Sequence, residues 1–142
     1  MQIRPYENRD EEQVVALWKS CGLTRPWNDP HRDIARKLTT QPELFLVGAI
    51  DDRVVATAMV GYEGHRGWIY YLAVSTDHRR EGLGRALMAE GERLLIKRGC
   101  PKINLQLRSS NSDAIGFYRA LGYVRDHAIS LGKRLIEDGD GR

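Results

Sequence analysis

Cysteine is nearly absent: Cys21 and Cys100 are the only two in 142 residues. They form no CxxC pair, and no group of His, Cys and Asp has metal-ligand spacing. Neither a disulfide framework nor a bound metal is therefore expected. Both cysteines read as small apolar fillers. Long apolar runs are missing as well. None approaches the roughly 20 residues of a membrane-spanning helix. The start, Met1-Gln2-Ile3-Arg4-Pro5, has no apolar core of the kind a secretory signal needs. The expectation is a soluble cytoplasmic protein with no membrane partner. A strong charge of one sign is lacking too: 22 Lys and Arg face 19 Asp and Glu, a net charge of +3. That suits an anionic small molecule and falls short of the dense basic face of a nucleic-acid binder. There are no repeats or linkers. One domain spanning residues 1–142 is expected, with the polar, glycine-rich end 137–142 fraying.

What is present is regular patterning. Ile3-Arg4 begins a short strand. Asp10 and Gln13 have capping-box spacing, and Val14, Leu17, Trp18 and Cys21 follow a helical period up to Gly22. Asp29-Pro30 reads as the N-cap and first residue of a second helix, with Ile34 and Leu38 on its buried face. Leu44 to Ile50 and Val54 to Tyr62 flank Asp51-Asp52-Arg53 as an antiparallel hairpin. The turn Glu63-Gly64-His65-Arg66-Gly67 leads into a third apolar run, Trp68 to Val74. A helix from Leu83 to Arg98 ends at Gly99-Cys100-Pro101, and Gly91 within it permits close packing on the sheet. Ile103, Leu105 and Leu107 then alternate with Asn104 and Gln106 as a half-buried strand. Because a helix separates it from the run 68–74, those two strands should be parallel with a right-handed crossover. Ser110 to Asp113 offers caps for a fourth helix with Ala114, Phe117, Tyr118 and Leu121 in phase, and a last strand falls within Tyr123 to Leu131. The order β-α-α-β-β-β-α-β-α-β predicts an α/β (α+β) fold. Its sheet is mixed, mostly antiparallel and flanked by helices, with a central parallel strand pair.

The chemistry concentrates in Arg79-Arg80-Glu81-Gly82-Leu83-Gly84, between the strand 68–74 and the helix it precedes. A glycine-rich turn there aims unpaired N–H groups at one spot, where the partial positive charge of a helix N-terminus suits a phosphate. Flanking arginines add charge-assisted donors. The spacing is neither GxGxxG nor a P-loop. On the turn alone, a tight strand–helix connection with solvated arginines is as good a reading. A second constellation, Asn111-Ser112-Asp113-Ala114-Ile115-Gly116-Phe117-Tyr118 and then Leu121-Gly122-Tyr123, follows the next strand.

Together the two constellations resemble the GNAT superfamily of N-acetyltransferases. Its pyrophosphate motif, [R/Q]-x-x-G-x-[G/A], is matched by Arg79, Gly82 and Gly84, and its later Asn, Phe-Tyr and Gly-Tyr pattern by Asn111, Phe117, Tyr118, Gly122 and Tyr123. A closer likeness, to the bacterial YpeA-type acetyltransferases, rests on Arg25 to Pro30, Gly64 to Gly67, Gly99 to Ile103 and Leu131 to Asp138. The sequence departs from the common pattern at Thr76 and His78, where many members carry a proline and an aromatic.

The resemblance implies acetyl-CoA as co-substrate and an amine as acceptor. The pyrophosphate would sit on Arg79, Arg80, Gly82, Leu83, Gly84 and Arg85. The pantetheine amides would pair with the edge Leu72, Ala73 and Val74 where the two parallel strands splay apart, and an N–H near Leu72 would hold the oxyanion. Asn111 and Phe117 would complete the cofactor side. Tyr118 matches the family's general acid; its helical phase equally suits a core aromatic. Asn111 is likewise a helix cap or a contact to the cofactor arm. A base for the acceptor amine is expected at Glu63, with an exposed turn carboxylate as the plain alternative, and His65, Tyr70 and Tyr71 as weaker candidates. Trp27, Asn28 and Asp29 fall where the family shapes its acceptor pocket. The expected activity is direct acetyl transfer to a primary amine of a small molecule or of a peptide or protein, by a monomer or homodimer. The alternative is a non-catalytic CoA-binding sensor or interaction module.

Overall fold

The computed structural model describes residues 1–139. One sheet carries strands β1 (Gln2–Pro5), β2 (Phe45–Ile50), β3 (Arg53–Tyr62), β4 (Gly67–Val74) and β5 (Ile103–Asn104), side by side in chain order. Helices α1 (Glu11–Ser20) and α2 (Pro30–Lys37) pack on one face; α3 (Leu83–Lys97) and α4 (Ser112–Ala120) pack on the other. Covering both faces explains why β2 and β3 read as continuous apolar runs. Phe45, Val47 and Met59 point to Trp18 and Ile34, whereas Leu46, Ala58 and Val60 point to Leu87, Met88 and Leu95. Gly91 lets α3 approach: a Cβ there would lie 3.3 Å from Val60 Cγ2.

The β2–β3 hairpin closes through Asp51 and Asp52, both at positive φ (49° and 64°), the double left-handed turn that matches strand twist. Asp29 caps α2 through the His31 N–H at 2.9 Å, with Pro30 in the first position. The α1 start differs from the capping-box expectation. Asp10 bonds back to the Glu7 N–H and forks with Arg4, and Gln13 instead accepts the Val54 N–H at 2.9 Å. A long-range donor won Gln13 because Val54 lies at the turn end of β3, on which α1 packs. On α2 the buried pair is Ile34 and Lys37, with Leu38 half-buried.

Strands β1 to β4 are antiparallel and β4–β5 is parallel, as the intervening helix requires. The parallel pair is short: only Gly67↔Ile103 and Trp68↔Asn104 are in register. Leu105 to Leu107 continue without sheet pairing, so the expected strand ends at Asn104. The strand expected within Tyr123 to Leu131 does not form; residues 123–138 run as an irregular strap. The frayed end expected over 137–142 is also corrected in part. Asp138 is buried and anchored, and residues 140–142 lie outside the described residues. Among the described residues, no helix is long and apolar enough to cross a membrane.

Candidate active site

Divergence of β4 and β5 opens a cavity of about 680 Å³ in the sheet. Leu72 lies on one wall, Leu105 to Leu107 on the other, and Asn111, Ala114 and Tyr118 of the α4 region complete it. The Leu72 wall is shaped by a β-bulge. Thr57 pairs with Ala73 and Met59 with Tyr70, so Tyr71 and Leu72 share one place in the ladder and have no partner on β3. Tyr71 takes φ +52°, a strained value for an aromatic residue. Three contacts hold it there. The Trp18 ring stacks on Tyr71 with centroids 3.7 Å apart, Trp18 Nε1–H donates to Thr57 Oγ1 at 2.9 Å, and the Thr57 hydroxyl donates to the Tyr71 carbonyl at 2.8 Å. Helix α1 thus braces the strand at the point where its edge turns to the cavity. Beyond Trp68, β4 has no neighbour on the β5 side, so the edge through Leu72, Ala73 and Val74 is open to an extended amide-bearing ligand.

Tyr118 is 8% exposed, with its ring edge-on to Phe117 and Tyr123. Burial pushes its phenol up to about 12, and no hydrogen-bonded partner contributes. The hydroxyl therefore stays protonated at neutral pH and faces the cavity as a free donor. Asn111 does both things weighed from the sequence: its Oδ1 caps α4 at the Ala114 N–H (3.2 Å), and the residue lines the cavity.

The glycine turn lies at the α3 end of the same edge. Gly82 is the N-cap at φ +77°, Arg80 precedes it at φ +65°, and the first helical carbonyl to be used is Gly82 O, by Ala86 N–H. The amides of Leu83, Gly84 and Arg85 therefore lack an intrahelical acceptor and are available to an anion. Arg79, Arg80 and Arg85 are all exposed. Arg79 folds back to donate from Nε to the Val74 carbonyl at 2.9 Å, tying the turn to the strand end. Gly84 joins the two constellations in space, since a Cβ on it would stand 3.2 Å from Phe117 Cζ. Any side chain there would push on the residue next to Tyr118.

The α2 end of the cavity holds groups that sequence reasoning missed. Asp33 Oδ2 accepts from Tyr71 OH at 2.6 Å and Asn28 Nδ2 at 2.9 Å, and Oδ1 accepts from Arg36 at 3.2 Å. Burial, then the Asp33 carboxylate, pushes the Tyr71 phenol upward, so it too remains protonated. Lys37 is buried with its ammonium 2.6 Å from the Val60 carbonyl, and desolvation pulls its pKa down. A usable signal existed: Lys37 stands three residues after Ile34, in phase with the apolar face of α2. Asn28 lines the cavity, whereas Trp27 is half exposed and does not. Glu63 is not among the lining residues. Its carboxylate accepts the N–H groups of His65 (2.6 Å) and Arg66 and the Trp68 indole N–H at 3.3 Å. The Arg66 bond leads in holding its pKa below the usual carboxylate range. His65 lies in the same exposed turn.

Comparison with known proteins identifies the family. The sequence pattern of the acetyltransferase (GNAT) family matches residues 10–123. An acetyltransferase of Yersinia pestis (strain Pestoides F) is 49% identical over 138 residues, covering 97% of this chain and 98% of that protein. An acetyltransferase of Sodalis glossinidius is 50% identical over 139 residues, with the same 97% and 98% coverage. Among solved structures, Ard1 from Thermoplasma volcanium superposes with TM-score 0.76 at 28% identity, over 87% of this chain and 82% of that one. The ribosomal-protein-S18-alanine N-acetyltransferase of Escherichia coli gives TM-score 0.70 at 25% identity, over 85% and 76%. AAC(6')-Iy, solved with a bisubstrate CoA analogue, shares the fold at TM-score 0.76 and 18% identity, over 94% and 98%. Matched along most of its length by the family pattern, and by relatives covering 97% of it, the chain belongs to the acetyltransferase (GNAT) family and is an acyltransferase.

Proposed function

We propose that this protein moves the acetyl group of acetyl-CoA directly to a primary amine of a small molecule or of a peptide or protein. The observation that carries the reading is the meeting of two features in one cavity: the open edge at Leu72 and the protonated, unpartnered hydroxyl of Tyr118. The exposed amides of Leu83, Gly84 and Arg85 and the arginines Arg79, Arg80 and Arg85 suit a pyrophosphate. The edge Leu72, Ala73 and Val74, which no strand covers on the β5 side, suits the two amides of a pantetheine arm, with Asn111 and Phe117 on the facing side. In this pose the thioester enters the cavity beside the bulge, where an N–H at Leu72 can hold the oxyanion.

The acceptor nitrogen forms a bond to the acetyl carbon, the carbon–sulfur bond breaks, and the Tyr118 hydroxyl proton passes to the departing sulfur. The proton shed by the acceptor restores Tyr118. The acceptor must enter neutral, and Glu63 is poorly placed to help: three accepted hydrogen bonds commit it to its turn and weaken it as a base. Asp33 with Tyr71 and Asn28 is the polar group that an entering amine meets instead. Both acceptor classes occur among the structural neighbours, in the S18-alanine enzyme and in AAC(6')-Iy.

The test is a panel of small amines and peptides scored by acceptor-dependent release of free CoA thiol. Thiol release with at least one amine is the expected result. Acetyl-CoA binding without acceptor-dependent release across the panel would leave the non-catalytic sensor reading in its place.

A further inference from the structure

Lys37 is a buried cation without a counter-ion. It is 9% exposed, yet it lines the α2 end of the cavity. Among the described residues its ammonium has one partner, the Val60 carbonyl at 2.6 Å, which leaves two N–H donors over. Neither neighbouring carboxylate serves it. Asp33, one turn earlier on α2, is held by Tyr71, Asn28 and Arg36. Glu43 pairs with Arg98 at 3.0 Å. Burying an ammonium with no anion beside it is costly, and desolvation pulls the Lys37 pKa down. The strand leaves room next to the charge. Gly61 lines the same cavity, and a Cβ on it would come 3.6 Å from Lys37 Nζ. Glycine keeps that space open.

We infer that, given the acetyl transfer proposed above, the acceptor is a small molecule of amino-acid type, a primary amine that also carries a carboxylate, and that Lys37 binds the carboxylate. Asp33 and Lys37 are four residues apart on α2 and share a face, with about 5–6 Å between their Cβ atoms. They do not pair with each other: Asp33 turns to Tyr71 and Lys37 to Val60. The cavity wall thus sets an anion and a cation one helical turn apart, which a zwitterion complements. The reacting end lies further along β4. Ile69 is the β4 partner of Val60, and Leu72 follows with the bulge taking up one residue. The ammonium therefore stands about 7–10 Å along the strand from the oxyanion N–H. A short amino acid spans that length with its nitrogen at the acetyl carbon and its carboxylate at Lys37. One lysine matches the single charge of a carboxylate. A phosphate draws on several charged donors, and Arg36, the one other cation among the lining residues, is tied to Asp138 and Asp33.

The test is a matched panel: glycine, β-alanine, γ-aminobutyrate and δ-aminovalerate, each against its carboxamide, with O-phosphoethanolamine as the phosphate arm. Thiol release gives kcat/KM for each. The acid-to-amide ratio should peak at one chain length. It should fall by about tenfold or more in Lys37→Met, and less steeply in Gly61→Ala, which keeps the charge and fills the space beside it. Circular dichroism and acetyl-CoA binding check folding, and Gly61→Ala carries the test if Lys37→Met fails that check. A ratio unchanged by the variants overturns the carboxylate site and leaves acetyl transfer standing. O-phosphoethanolamine preferred to every acid overturns it too. If no amine releases thiol, calorimetric binding of the same compounds to the CoA complex decides. Acids favoured over amides by wild type but not by the variants upholds the carboxylate site while acetyl transfer fails, and no such difference overturns the site as well.

Discussion

Replacing Tyr118 by Phe removes one oxygen from the cavity and little else. The ring keeps its edge contacts to Phe117 (5.0 Å) and Tyr123 (5.8 Å). No protein group loses a partner with the hydroxyl, so stability should shift by no more than about 1 kcal/mol. The proton balance sets the catalytic effect. A free thiol has pKa about 8.5 and a free phenol about 10. Burial raises the Tyr118 phenol to about 12, and burial beside it would raise the thiol in the same sense, because each forms an anion there. The gap to be crossed thus stays near the reference difference of about 1.5 units, or about 2 kcal/mol. Tyr118 is a competent donor on those terms. Without it the sulfur leaves as a thiolate with no proton from Tyr118. General acid catalysis of this kind contributes about 10²- to 10⁴-fold, equivalent to about 3–5 kcal/mol of transition-state stabilisation. The assay is steady-state thiol release with the best acceptor from the panel. Turnover should fall by about 10²-fold or more while KM for acetyl-CoA stays within about twofold. Since the phenol ionises only near about 12, no falling limb from Tyr118 should appear in the wild-type pH–rate profile below about pH 11. Turnover of the Phe variant within about threefold of wild type would remove Tyr118 from the proton path.

Three further outcomes follow from the same structure. Glu63→Gln should leave the acidic limb of the pH–rate profile in place while loosening the amides of His65 and Arg66 in hydrogen exchange; loss or displacement of that limb would return Glu63 to the proton path. Thr57→Val should cost about 1–3 kcal/mol in urea unfolding, because it orphans the buried Trp18 indole N–H, and it should lower turnover through the Tyr71–Leu72 bulge; a cost under about 0.5 kcal/mol would show that the brace is dispensable. Asp138 is held from 3.8 down to about 2 by the Arg36 fork, then the Asp29 N–H, with Arg32 nearby. A lowered folded pKa means the anchor is complete above about pH 4 and is lost as pH falls through about 2. The Asp29 amide resonance should therefore titrate near 2, and a midpoint at 3.8 would contradict the fork.

The elements with a local cause were legible in the residues. Asp29-Pro30 states its helix start, because a cap and a proline act within one turn. The Asp51-Asp52 hairpin, the α3 glycine turn and the phase of Phe117 and Tyr118 are also properties of neighbouring residues. Gln13, Glu63 and Lys37 were not legible in the same way. Each bonds to a main-chain group: Gln13 reaches Val54 and Lys37 reaches Val60 across the sheet, and Glu63 turns its carboxylate onto its own loop. No periodicity reports which side-chain oxygen or nitrogen will win such a partner.

By itself the sequence determined the helix and strand order as far as the fourth helix, the parallel pair forced by an intervening helix, and the two constellations that resemble those of the GNAT family. It did so because periodicity, caps and glycine conformations are short-range. Tertiary structure alone decided where β4 and β5 part, how Trp18 and Thr57 hold the bulge that aims Leu72, that Asp33 meets Tyr71, and that the last strand material becomes a strap tied by Asp126 and Asp138. Those outcomes depend on competition among groups far apart in the chain for the same donors, acceptors and buried volume. That competition is settled only when the whole chain has packed.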